Sequence, residues 1–127
     1  MAEKPLIIAG GGIGGLAAAL GLAKAGKHSL VLEQAVSLGE IGAGIQIAPN
    51  AFNCFDFLGI GGALRENAVY IDRLRLMDAL SGEEICHIPL DEDFRERFGN
   101  PYAVVHRADL HLACLLYTSP SPRDSMT

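Results

Sequence analysis

Several classes of function fall away on what this sequence lacks. It has no cluster of basic residues: ten Lys and Arg are scattered among fifteen Asp and Glu, for a formal net charge of -5. Such a balance offers no electrostatic footprint for nucleic acid or for an acidic membrane surface. Its three cysteines, Cys54, Cys86 and Cys114, stand about 30 residues apart with no C-x-x-C pair. An odd count without pairing suits reduced thiols in the cytoplasm better than a disulfide framework, and each is expected to be a small buried hydrophobe. The histidines, His28, His87, His106 and His111, have no metal spacing; the last two are five apart and lack H-E-x-x-H. No apolar run reaches the ~18 residues of a membrane span. Lys4, the apolar stretch after it and Ala23-Lys24-Ala25 imitate a signal peptide, but Glu3 and the glycines from Gly10 to Gly15 oppose that reading.

What is present begins at Leu6 to Gly15, LIIAGGGIGG, a short buried strand, a glycine turn and a helix start. Gly10, Gly12 and Gly15 satisfy G-x-G-x-x-G, and Glu33 follows Gly15 by 18 residues at the end of a second apolar run. That is close to the ~20-residue offset of the dinucleotide fingerprint. Gly10 permits a tight turn, Gly12 a close approach of backbone to pyrophosphate, and Gly15 close packing of helix on strand. The N–H groups at the helix start, from Ile13 and Gly14 onward, favour a diphosphate, and Glu33 is placed for ribose hydroxyls. A lone glycine motif is weak; strand, glycines, helix and acid in this order point to a nucleotide-binding βαβ unit.

With 127 residues the chain can build one modest domain. The pattern predicts strands at 5–9 and 29–33 around a helix at 13–25 stopped by Gly26. A plain NAD-binding unit would then run into a second helix. Instead Ser37 to Gln46 carries Gly39, Gly42 and Gly44, too many glycines for a helix interior. On composition it is either backbone running close to something flat or a surface loop. Pro49 opens a helix ended by Gly59, with Phe52, Phe55 and Phe57-Leu58 assigned to the core. A short helix is expected near 62–67.

Ile71 to Asp78 and Glu83 to Leu90 alternate around Ala79-Leu80-Ser81-Gly82 and read as a β-hairpin with one solvated face. Asp91 to Arg97 is a charged loop and short helix on a solvated face. Tyr102 to Val105 is a strand running into a helix, with Arg107 at the junction. That arginine could meet a phosphate or a ring carbonyl, or simply pair with Asp109 or Glu33. From Leu115 to Thr127 the sequence holds two prolines and three serines without an apolar face and reads as disordered.

GGGIGGLAAALGLAKAG, VLEQA, GEIGAGIQIAPNAF, IDRLRLMDALSGE and RERFGNPYAVVHRADLH together resemble the FAD-dependent aromatic-ring monooxygenases, especially the salicylate hydroxylase and 3-hydroxybenzoate 6-hydroxylase group. The likeness runs from Pro5 to Cys114. It implies the N-terminal part of a Rossmann-like α/β FAD-binding domain, left incomplete, with residues 1–70 and 102–114 in that domain. The hairpin region 71–101 would be a first excursion into a substrate domain. The implied FAD contacts are Gly10, Gly12, Ile13, Gly14, Gly15, Glu33, Gln34, Ala43, Gly44, Gln46 and Arg107.

The same resemblance implies that NAD(P)H reduces the flavin, which then uses O2 to hydroxylate a small aromatic acid, with the protein positioning the ring and excluding water. Family members are several times longer, and their Asp-Gly and later Gly-Asp motifs are absent from these residues, as is any candidate catalytic base. After the R-A-D-L-H motif, CLLYTSPSPRDS resembles translated sequencing adaptor, so 115–127 is expected to be an unrelated tail of a truncated gene model. A stand-alone FAD- or NAD-binding module and an NAD-dependent dehydrogenase are the alternatives; the glycines from Gly39 to Gly44 speak against the latter.

Overall fold

A computed structural model describes residues 4–37 and 42–118. The first part of the glycine-rich stretch, 38–41, and the tail from 119 onward lie outside the described residues, as does the N-terminal tripeptide.

The chain opens with β1 (Leu6–Ala9), α1 (Ile13–Lys24) and β2 (Ser29–Leu32), and the two strands pair in parallel from Leu6↔Ser29 to Ala9↔Leu32. This is the expected βαβ unit. Ala17, Ala18 and Ala19 keep α1 slim, and Leu16 and Leu20 fall on its buried side at helical spacing. The end of the glycine-rich stretch enters β3 (Gly44–Ile47), which is a strand and not a loop because a distant strand supplies its partner. That partner is β7 (Ala103–His106), antiparallel from Gly44↔His106 to Ile47↔Ala103. The short β4 (Val69–Tyr70) adds to the other edge of β7.

Pro49 starts α2 (Pro49–Leu58), where its missing N–H costs nothing. Gly59 stops it at φ +87, with its N–H donating to the Asp56 carbonyl and the next N–H, of Ile60, donating to that of Phe55. The left-handed residue thereby satisfies two orphan carbonyls and turns Ile60 into the core. A Cβ at Gly59 would touch nothing, so the cost of Gly59→Ala is purely conformational. It is expected at about 1 kcal/mol, read as a lowered urea midpoint with unchanged slope.

The core gathers Leu16 and Leu20 of α1, Ile47, Phe52, Ile60, Leu64 of α3 (Gly61–Asn67), Ala103 and Val105 of β7, and Leu110 and Cys114 of α5 (Arg107–Thr118). Each large side chain so buried contributes about 1.5–3 kcal/mol. Phe52 is fully buried and Phe55 packs at the core margin, but Phe57 is 62% exposed. It lies on the outer side of α2, where Lys24 Nζ sits 4.0 Å over its ring. Of the cysteines only Cys114 is buried, and burial pushes its thiol up to about 11. Cys54 and Cys86 are exposed, on the solvent side of α2 and on the hairpin, so the expectation of three buried thiols holds for one.

The hairpin forms from β5 (Arg73–Met77) and β6 (Glu84–Pro89), with an irregularity between Leu76 and Met77. Asp78 shapes its loop: one carboxyl oxygen accepts the N–H groups of Ser81 and Leu80 at 2.8 and 2.9 Å. Those two bonds hold its pKa below the ordinary value. Both faces are open, not one: Leu76 and Ile88 are each 57% exposed and Ile85 is 62% exposed. Among the described residues no layer lies against either face. The following α4 (Glu92–Phe98) is capped by Asp91, whose carboxylate accepts the Phe94 N–H, and it carries the expected charge.

The start of the tail expected to be disordered is also ordered differently. Helix α5 runs through to Thr118, so Leu115 to Thr118 continue the helix. Leu115 packs against the core, which supplies the apolar contact that local composition did not show.

Candidate functional site

Because β1 and β2 run parallel, their carboxyl ends open on the same edge of the sheet, with Gly10 and Glu33 one residue beyond the last pair. The Gly10 N–H donates to the Leu32 carbonyl at 2.7 Å, extending the ladder into the turn. Gly10 then adopts φ +113, open to glycine but strained for other residues. Gly12 is the extended N-cap of α1, accepting the Leu16 N–H at 3.0 Å. No side chain caps this helix and no acid stands in its first turn. The N–H groups of Ile13, Gly14 and Gly15 therefore face the turn at the positive end of the helix dipole. A Cβ on Gly15 would lie 1.9 Å from the Gly10 carbonyl oxygen, so helix and turn are in intimate contact there.

Glu33 is tied directly into this turn. Its Oε2 accepts the Gly11 N–H at 2.7 Å and its Oε1 the Ala35 N–H at 3.2 Å. The Gly11 bond foremost, then that of Ala35, keeps the carboxyl below its ordinary value of 4.5, so it is ionised at neutral pH. Gln34 is exposed beside it.

His111, which nothing in the sequence distinguishes from the other histidines, joins the site as well. At 3% exposure it is the one buried polar or charged side chain among the described residues. Its Nε2 lies 2.7 Å from the Gly11 carbonyl oxygen. A carbonyl only accepts, so Nε2 carries the proton. The contact spans 100 residues of sequence, and no local pattern announces it.

The other expected site residues collect on the β3–β7 pair. Gly44 faces His106, Gln46 faces Val104, and the Arg107 N–H donates to the Ala43 carbonyl at 2.9 Å. A Cβ on Gly42 would come within 2.8 Å of the His106 ring, so this backbone runs hard against the strand end. The Tyr102 hydroxyl donates to Gln46 Oε1. Two groups of site residues result: the turn with Glu33, and the β3 strip with Arg107. Helix α5 joins them, since Arg107 begins it and His111, one turn later, reaches Gly11. Among the described residues there is no group of His, Cys, Asp and Glu that could hold a metal ion, and no helix long and apolar enough to cross a membrane.

Residues 8–52 match the NAD(P)-binding Rossmann-like domain family. The chain is 58% identical over 114 residues to 3-hydroxybenzoate 6-hydroxylase of Polaromonas naphthalenivorans, covering 90% of this chain and 28% of that protein. It is 59% identical over 106 residues to 3-hydroxybenzoate 6-hydroxylase 1 of Aquipseudomonas alcaligenes, covering 84% and 27% respectively. A crystal structure of a Klebsiella pneumoniae HpxO variant complexed with FAD superposes with a TM-score of 0.81 at 33% identity, over 98% of this chain and 31% of that one. The chain thus spans between a quarter and a third of the length of these relatives. In sequence and in fold the chain is similar to the N-terminal portion of these 3-hydroxybenzoate 6-hydroxylases and of the FAD-bound HpxO structure.

Proposed function

We propose that this chain holds the ADP portion of FAD, and that the protein it belongs to hydroxylates a small aromatic acid of the hydroxybenzoate type with NAD(P)H and O2. The observation that carries the reading is the 2.7 Å bond from the Gly11 N–H to Glu33, which locks the glycine turn and the acid into one unit. In this arrangement Gly10 and Gly15 shape the cradle, a Cβ on Gly15 being barred by the Gly10 carbonyl. Gly12, Ile13 and Gly14 offer N–H groups to the diphosphate, and Glu33 accepts from the adenosine ribose. Gln34 borders the ribose, while Ala43, Gly44, Gln46 and Arg107 form a strip toward the flavin.

Bound FAD would supply the electron transfer and oxygen chemistry, and this chain's residues bind and orient it. The β3 strand, standing where an NAD-dependent dehydrogenase places a second helix, favours FAD over NAD as the resident nucleotide. Three cysteines with no disulfide among the described residues suit a reducing, cytoplasmic setting.

Calorimetric titration of the purified chain with FAD and with ADP is expected to show saturable binding of both. Oxidation of NADH stimulated by 3-hydroxybenzoate is expected to stay at the free-flavin background, since the chain spans 28% of the Polaromonas relative. If neither nucleotide binds, the reading is wrong. Substrate-stimulated turnover would overturn its division of labour.

A further inference from the structure

We propose that His111 is a positioning residue that aims the Gly12 N–H at the diphosphate, an inference that rests on the nucleotide reading above. The Gly11 carbonyl and the Gly12 N–H belong to one peptide group. The described residues contain no cis peptide, so these two dipoles point in opposite directions. His111 draws the carbonyl inward with its 2.7 Å bond, on the side where Gly11 is buried. The Gly12 N–H is thereby turned outward, where Gly12 is half-exposed and α1 begins.

This peptide needs such a restraint because glycine flanks it on both sides. With no Cβ at either position, rotation of the peptide plane meets little steric resistance. A flipped peptide would present a carbonyl oxygen to an anion where a donor is wanted. Glu33 does not prevent that flip, since it holds the preceding peptide through the Gly11 N–H. His111 is itself buried, and its neighbours Leu110 and Cys114 belong to the same core cluster as Leu16 and Leu20 of α1. The turn is thus fastened from two distant points of the chain, one bond for each of two successive peptides.

The test compares ADP with adenosine, which lacks the diphosphate, by NMR titration of the unaltered chain, His111→Leu and His111→Gln, with thermal unfolding run alongside. His111→Leu removes the donor at similar bulk and is expected to weaken ADP binding about tenfold while adenosine changes less than about twofold. His111→Gln retains an N–H donor and is expected to restore ADP binding to within about threefold. A purely structural histidine would shift both ligands together. A folded His111→Leu chain with an unchanged ADP-to-adenosine ratio overturns the proposal and leaves the nucleotide reading standing. If His111→Leu does not fold, His111→Gln decides, and a tenfold loss of its ADP preference overturns the proposal. Failure of the unaltered chain to bind ADP overturns the nucleotide reading instead, and this inference with it.

Discussion

Glu33→Ala is expected to weaken FAD and ADP binding by about tenfold or more, with adenosine affected as strongly as ADP. The substitution removes two things at once. The ribose loses its charged acceptor, and the Gly11 N–H, buried in the turn, loses the oxygen that accepts it at 2.7 Å. Glu33→Gln separates them, because an amide oxygen can still accept from Gly11 while the charge is gone; its loss is expected to be intermediate. Acid pH gives an independent readout. The bonds from Gly11 and Ala35 hold the folded carboxyl below 4.5. A depressed carboxyl contributes above its unfolded value and loses that contribution as pH falls through its lower folded value. Binding by the unaltered chain should therefore hold from neutrality down to about pH 5 and fall away only below 4.5. Glu33→Ala should lack this acid limb. Fluorescence titration across pH, on this chain and on a full-length relative, reads both effects. Equal FAD affinity in Glu33→Ala and the unaltered protein would mean that the ribose lies elsewhere.

The features legible in the sequence are those that a short segment settles for itself. The glycine turn, the proline that opens α2, the glycine that ends it and the four-residue loop after Asp78 each depend on backbone chemistry within a few residues. The acid at Glu33 was legible because the fingerprint fixes its distance from the turn. What stayed hidden depends on partners far along the chain. β3 exists as a strand because β7, about sixty residues later, pairs with it, and the glycines at 39, 42 and 44 obscured the short alternation of Ile45, Gln46 and Ile47. Phe57 shares its segment with Phe52 and Phe55, yet the helix turns it to solvent. The hairpin alternates as a half-buried strand pair should, yet both its faces are open among the described residues. His111 is the sharpest instance: one of four histidines in the sequence, it becomes distinctive only when folding sets it against Gly11.

Gly15→Ala sets two physical effects against each other, and their magnitudes decide the outcome. In a helix interior alanine is better than glycine by about 1 kcal/mol, so propensity alone predicts a gain. The new Cβ, however, would stand 1.9 Å from the Gly10 carbonyl oxygen, 3.0 Å from its carbon and 3.4 Å from Ile8 Cγ2. The nearest obstacle is backbone, in a turn pinned by the Gly10 bond to Leu32, and no flexible side chain can swing aside. Either α1 must lift from β1 or the turn must deform, at about 3 kcal/mol for overpacking of this kind. The net expectation is a loss of about 2 kcal/mol, a fall of roughly 10 °C in Tm. Nucleotide binding should fall with it, because the same displacement moves the helix N-terminus away from the turn. Gly14→Ala is the control, since a Cβ there meets nothing within 4 Å. Its stability should rise by up to about 1 kcal/mol from propensity alone. If Gly15→Ala proves as stable as Gly14→Ala, the close approach of helix to turn is not what the third glycine of the motif provides here, and the cradle assigned to the diphosphate loses its geometric basis.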